Sequence, residues 1–277
     1  MKRFVALALC ISVSASASAQ GAPDPDDALK DDIVAAYRIL VNEGILDSFG
    51  HVTARSNKDP NIFLMPQAMP PALVTKADIL EVRVVDSQPV DPKGRRVNGE
   101  RYIHGEIYKA RPEVKAVIHS HSQAVIPLSL TPIKMKPVVA QAGFLPLETP
   151  NFEIREAREA GGRGMQVTDS KRGAALAKTL GPHPVVLMRG HGETVVGKSV
   201  KQSVVYAVYV DINAKMQTQA LAVWPKIKSM SAPELFDEDE FDINRPWEHF
   251  RQKTLDPAAK AAIDRSQFGL TQTQEKR

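Results

Sequence analysis

The sequence predicts one α/β domain with an extension at each end. Two observations carry this reading. Segments of helical periodicity alternate with short apolar runs bounded by turn residues. No repeat, low-complexity linker or composition break divides residues 30–225. Ile33, Tyr37, Leu40 and Val41 recur at helical spacing, so a first helix runs from Lys30 and stops at Gly44. Residues 62–65 and 82–85 read as strands, followed by the turn Asp91-Pro92-Lys93-Gly94. Asn98 caps a helix over 99–110 that Pro112 ends. Residues 114–121 and 185–188 are further strands, the second leading into the turn Gly190-His191-Gly192. A long helix then covers 198–223 and stops at Trp224-Pro225. Residues 226–277 turn polar and acidic, then mixed, and read as an appended extension.

Composition excludes several classes. The 277 residues are 43% hydrophobic and 25% charged, which rules out wholesale disorder, collagen and coiled coil. A net charge of +4, evenly spread, gives no footprint for nucleic acid or an anionic membrane surface. The first 19 residues carry a basic start (Lys2-Arg3), an apolar run from Phe4 to Val13 and the small-residue end Ala17-Ser18-Ala19. That is the pattern of a cleaved export signal and is too short to span a bilayer. Cleavage before Gln20 leaves a flexible lead-in over 20–29, lowers the charge to +2 and removes Cys10, the single cysteine. The expected mature protein is therefore periplasmic, free of thiols and not held in a membrane, and its stability rests on core burial or assembly.

The chemistry concentrates in histidines. His119 and His121 alternate within one strand, so their side chains share a face and can converge on one metal ion. His191 stands between two glycines at the end of another strand, where the backbone lets a side chain be aimed. Three neutral imidazoles with an open position describe a catalytic metal site, although such a pair also occurs on solvated strand faces. Glu100 opens the helix before the His119 strand. It suits either a helix dipole or proton transfer beside a metal.

Glu100-Arg-Tyr-Ile-His104, Ala110-Arg-Pro112, Ala116-Val-Ile-His-Ser-His121 and Arg189-Gly-His-Gly192, in this order, resemble the class II aldolase/adducin family. Gly50-His-Val-Thr-Ala-Arg55 and Phe63-Leu-Met-Pro66 are similar to its upstream segments, so the likeness covers about residues 30–225. The resemblance implies a three-layer α/β/α sandwich around a largely antiparallel sheet and a homotetramer. It also implies Zn2+, or Mn2+ or Fe2+, on His119, His121 and His191, with Glu100 as acid/base.

Departures from the family pattern indicate the branch. Positions that hold a sugar phosphate in the aldolases carry Gly50-His51, Gln67-Ala68 and Asn98-Gly99 here, which lack the convergent hydroxyl donors of a phosphate nest. His51, Arg55 and Gln67 become candidates for binding a carboxylic acid substrate, Arg55 equally suiting a structural ion pair. Ile103-His-Gly-Glu-Ile-Tyr108, His119-Ser-His-Ser122 and Tyr209 with Asn213-Ala214 look most like the decarboxylases of aromatic ring-cleavage products, of the 2-hydroxy-3-carboxymuconate semialdehyde type. The expected activity is a metal-dependent carbon–carbon lyase that decarboxylates a keto, enol or aromatic-derived acid, with Glu100 moving the proton and Tyr209 a second candidate donor. An aldolase, an iron oxygenase and a non-catalytic adducin-like module are the alternatives.

Overall fold

The computed structural model describes residues 24–158, 162–236 and 240–255. The expected export signal and its cleavage site lie outside these. In chain order the elements are α1 (Asp27–Asn42), β1 (His51–Arg55), β2 (Ile62–Pro66), β3 (Ile79–Arg83), α2 (Arg101–Ala110), β4 (Ala116–Ser120), α3 (Val125–Ser129), β5 (Asn151–Phe152), α4 (Ile154–Ala157), α5 (Ser170–Leu180), β6 (Val185–Met188), β7 (Gly192–Gly197), α6 (Val200–Val223) and α7 (Asn244–Thr254). The strands form one sheet in the order β3-β2-β1-β4-β7-β6-β5, antiparallel except for the β5–β6 pair.

Strand alternation splits the interior into two cores. Val52, Ala54, Leu64, Ala116, Ile118, Val185, Leu187 and Val195 face α1 and α6. Phe63, Met65, Val117, Val186 and Val196 face α2 and α5, which add Ile103, Ile107, Leu176 and Leu180. The result is the expected three-layer sandwich. His51 and His119 are directly paired across β1 and β4, and their parity with Val117 turns both toward the α2 layer.

Four local readings change. Helix α2 starts at Arg101 with Glu100 in the cap position, and the Asn98 side chain, expected to cap it, accepts from the Glu100 N–H. The first helix starts at Asp27, before Lys30, because buried Asp26 anchors the chain: its carboxylate accepts from Ser56 Oγ and from the Asn57 N–H, both at 2.6 Å. The third strand ends at Arg83, where Asp86 takes Arg83 and starts a turn. The segment read as an appended extension contributes α7, whose Trp247 and Phe250 are buried in the α1–α6 core. Helix α6 is wrapped on most sides, and its buried Asn213 and Gln217 bond the backbone of Lys134, Lys136 and Val138. Among the described residues no helix is long and apolar enough to cross a membrane.

Trp247→Ala should cost ~3–5 kcal/mol of stability by denaturant unfolding, the usual loss for a buried tryptophan. A loss under ~1 kcal/mol would mean that α7 is a detachable tail.

Candidate metal centre and acid–base site

The sequence His119-Ser120-His121-Ser122 is read on two faces. The imidazoles point to the α2 side. On the other side Ser120 Oγ donates to Glu193 at 2.5 Å and Ser122 Oγ donates to Asp211 of α6 at 2.7 Å. His121 lies one residue past the end of β4, so these flanking hydroxyls hold its backbone where the ladder stops. His119 Nδ1 lies 2.9 Å from the Glu193 carbonyl, which only accepts, so its hydrogen is on Nδ1 and Nε2 presents a lone pair.

His191 reaches the same point from the β6–β7 turn. Gly190 takes a left-handed φ of 65°, and at Gly192 the backbone passes so close to the Ser120 carbonyl that a Cβ would overlap it. Both glycines are thus required for the turn that aims His191. Its ring centroid lies 4.8 Å from that of His119 and 5.0 Å from that of His121.

Glu100 caps α2 positionally, yet its side chain bonds no N–H of its own helix. Oε1 accepts instead from the Val167 N–H at 3.0 Å. This leaves Oε2 over the histidines, 3.9 Å from His119 Nε2 and 4.0 Å from His51 Nε2, while Oε1 is 3.7 Å from His191 Nε2. Burial pushes the carboxyl up to about 7, against the pull of the Val167 N–H. Burial and the neighbouring rings hold His119 well below the ordinary imidazole value, and burial first, then His121, brings His191 to about 4.

The donor set suits a divalent cation. One ligand atom from each of Glu100, His119, His121 and His191 lies within 4.8 Å of the others. Bonds of ~2.0–2.1 Å to a tetrahedral ion place two nitrogens ~3.3 Å apart. His119 Nε2 and His121 Nε2 are 3.2 Å apart. Neutral imidazoles are the form that binds metal, and three of them with a carboxylate accept Zn2+, Mn2+ or Fe2+.

A cavity of about 650 Å³ opens over this cluster, lined by His51, Glu100, His121 and His191 together with Phe49, Met69, Arg96 and Gln166. His51 therefore joins the site. Arg55 does not: its guanidinium donates to the carbonyls of Val114, Pro60 and Tyr108, which corrects the substrate-binding expectation. Gln67 is likewise turned away, its amide donating to Asp78 at 2.7 Å, although the next three residues line the cavity. Tyr209 is half-buried edge-on against Phe241 and Phe250, and within the chain it is not brought to the cavity. Sequence reasoning passed over Arg96, His104, Thr53 and Glu193. Of these His104 carried a usable signal, one helical turn after Glu100 on the same face.

Residues 31–218 match the family described as Class II Aldolase and Adducin N-terminal domain. The chain belongs to that family. It is 34% identical over 200 residues to the decarboxylase tropJ of Talaromyces stipitatus, covering 69% of this chain and 75% of that one. It is 26% identical over 233 residues to the 3,4-dihydroxyphthalate decarboxylase of Arthrobacter keyseri, covering 78% and 90%. A solved aldolase II superfamily protein from Pseudomonas syringae superposes with a TM-score of 0.68 at 20% identity, over 84% of this chain and 94% of that one. This family member thus stands near decarboxylases in sequence and shares the aldolase fold.

Two outcomes test this geometry. His119→Ala, His121→Ala and His191→Ala should each abolish tight binding of a divalent cation while circular dichroism stays native; full occupancy in any one of them contradicts the triad. Glu193 is fully buried, and burial pushes its carboxyl from 4.5 up to about 8 against the Ser120 hydrogen bond. A carboxyl raised on folding favours the folded state below its unfolded value, and that contribution is lost as pH rises through the folded one. The Glu193 contribution should therefore fall from about pH 5 to about pH 8, opposite in sign to that of the buried histidines, and Glu193→Gln should make the slope of stability against pH more positive over that range in urea titrations. An unchanged slope contradicts a neutral Glu193.

Proposed function

We propose that this chain is a metal-dependent lyase that decarboxylates a keto, enol or hydroxyaromatic acid. The observation that carries the reading is Glu100 at the floor of an open cavity: a carboxyl raised by burial, with Oε1 tied to Val167 and 3.7 Å from His191, and Oε2 3.9 Å from His119 and 4.0 Å from His51. Its relatives named as decarboxylases support the reaction class.

A divalent cation on His119, His121 and His191 supplies Lewis-acid stabilisation to the substrate oxygen that takes up negative charge. The chain's own residues do the rest. Phe49 and Met69 give the cavity apolar walls for a flat carbon skeleton, and Arg96 stands at its rim. Among the described residues the Arg96 guanidinium has no hydrogen-bond or ion-pair partner, so the carboxylate-binding role expected of Arg55 passes to it. The bond from carbon to the carboxyl breaks with loss of carbon dioxide, and a proton from Glu100 replaces the carboxyl on that carbon. Glu100 then recovers a proton from solvent. Burial raises Glu100 above the ordinary carboxylate value and so favours the protonated form that it must hold before the transfer. The export signal expected over residues 1–19 would place this reaction in the periplasm, on acids taken from outside the cell.

The test is a panel of hydroxylated and keto acids assayed for carbon dioxide. Release of carbon dioxide supports a decarboxylase; an aldehyde fragment in its place makes the protein an aldolase. Glu100→Gln should keep the metal on the three histidines and lower turnover by ~10²–10⁴-fold with little change in KM. Full activity in that variant removes Glu100 from the proton step. Arg96→Gln should raise KM by ~5-fold at low salt and less at high salt, as an exposed charge pair does. An unchanged KM at low salt removes Arg96 from carboxylate binding.

A further inference from the structure

His51 faces the cavity, and what its ring offers a substrate depends on which nitrogen carries hydrogen. A buried chain behind it decides that. His51 Nδ1 is 2.6 Å from His104 Nε2, His104 Nδ1 is 2.8 Å from Thr53 Oγ1, and Thr53 Oγ1 is 2.9 Å from the Tyr108 hydroxyl. All four side chains are buried. The chain is ordered from its far end, at a backbone carbonyl that only accepts. Thr53 Oγ1 donates to the Val117 carbonyl at 3.4 Å, and the Val117 backbone also bonds the His104 ring. With its one hydrogen so directed, Thr53 accepts from Tyr108 and from His104 Nδ1–H. Burial holds His104 neutral, at about 3, so its single hydrogen is on Nδ1 and its Nε2 accepts. The hydrogen in the 2.6 Å contact is then that of His51 Nδ1. Glu100 Oε2, at 4.0 Å, is beyond hydrogen-bond reach of His51 Nε2 and does not reverse this order.

We propose that Thr53 and His104 fix His51 as the Nδ1–H tautomer, so that its Nε2 takes the proton of a substrate hydroxyl on the carbon next to the one that loses its carboxyl. His51 is then a catalytic residue, while His104 and Thr53 are positioning residues. The substrate class narrows to enolic or phenolic acids with adjacent hydroxyl and carboxyl groups. This rests on the decarboxylase reading for its chemistry, whereas the tautomer is read without it.

The step balances. The hydroxyl O–H breaks, its proton bonds to His51 Nε2 and its electron pair forms a carbonyl as the neighbouring carbon takes the Glu100 proton. Carbon dioxide then leaves. The pair from the broken C–C bond restores the C=C, the carbonyl π pair returns to oxygen, and that oxygen recovers the proton from His51. Hydrogen from Glu100 has replaced the carboxyl, and Glu100 is reprotonated by solvent.

The test is nitrogen–hydrogen correlation NMR on the full chain labelled with ¹⁵N-histidine and loaded with Zn2+. His51 should carry hydrogen on Nδ1 alone. Thr53→Val removes the acceptor behind His104, so His51 should lose that single tautomer. Turnover of a hydroxy acid should fall ~10²-fold, with KM and metal content little changed, and Thr53→Ser should restore both. Hydrogen on His51 Nε2 in the wild type overturns the proposal, as does Thr53→Val with tautomer and turnover intact. The wild-type spectrum decides the tautomer even where a variant fails to fold. An Nδ1–H His51 in a protein that releases carbon dioxide from no hydroxy acid overturns the decarboxylase reading and the proton-acceptor role, and leaves the tautomer standing.

Discussion

Everything at this site depends on His119, in β4, and His121, one residue past its end, being held on one face while Ser120 and Ser122 are tied down on the other. A strand alternates its side chains without cost, but β4 ends at Ser120 and the ladder no longer positions His121. Ser120 bonded to Glu193 and Ser122 bonded to Asp211 replace the missing ladder with side-chain anchors on β7 and α6. Glu193 also gives His119 its partner, through the backbone carbonyl. One residue thus orients one imidazole by its main chain and the backbone beside the next by its side chain. Such outer contacts fix tautomer and direction for a metal ligand.

Burial supplies the second half of the arrangement. Five of the seven histidines stand in this one region, and protonating them together would be prohibitive. Desolvation lowers His51, His104, His119, His121 and His191 and raises Glu100, so the site rests as neutral rings under a carboxyl poised near neutrality. A cation is the complement to that set of neutral donors.

Much of this was legible in the sequence because periodicity and short motifs carry it. The alternation of His119 and His121, the glycines around His191 and the first-turn position of Glu100 each follow from local backbone rules, and the layered fold follows from the family motifs. Arg55 shows where such reading stops. A sequence gives a guanidinium's position and not its partners, and here three carbonyls converge on it from the last turn of α2, the α2–β4 connection and the β1–β2 turn. Tyr209 was placed by its helix and not by α7, whose Phe250 packs against it from more than 30 residues away. His104 is the reverse case. Its neighbours in sequence give it no role, because the residues that do, Thr53 and His51, arrive from strand β1.

The proposed decarboxylation requires one divalent cation per chain, held by His119, His121 and His191. Titrating Zn2+, Mn2+ or Fe2+ into metal-stripped protein while following carbon dioxide from a hydroxy acid tests it directly. Turnover should rise linearly and reach its plateau at one equivalent per chain. Release that is equally fast without metal, or a plateau that does not track occupancy of the three histidines, would contradict it.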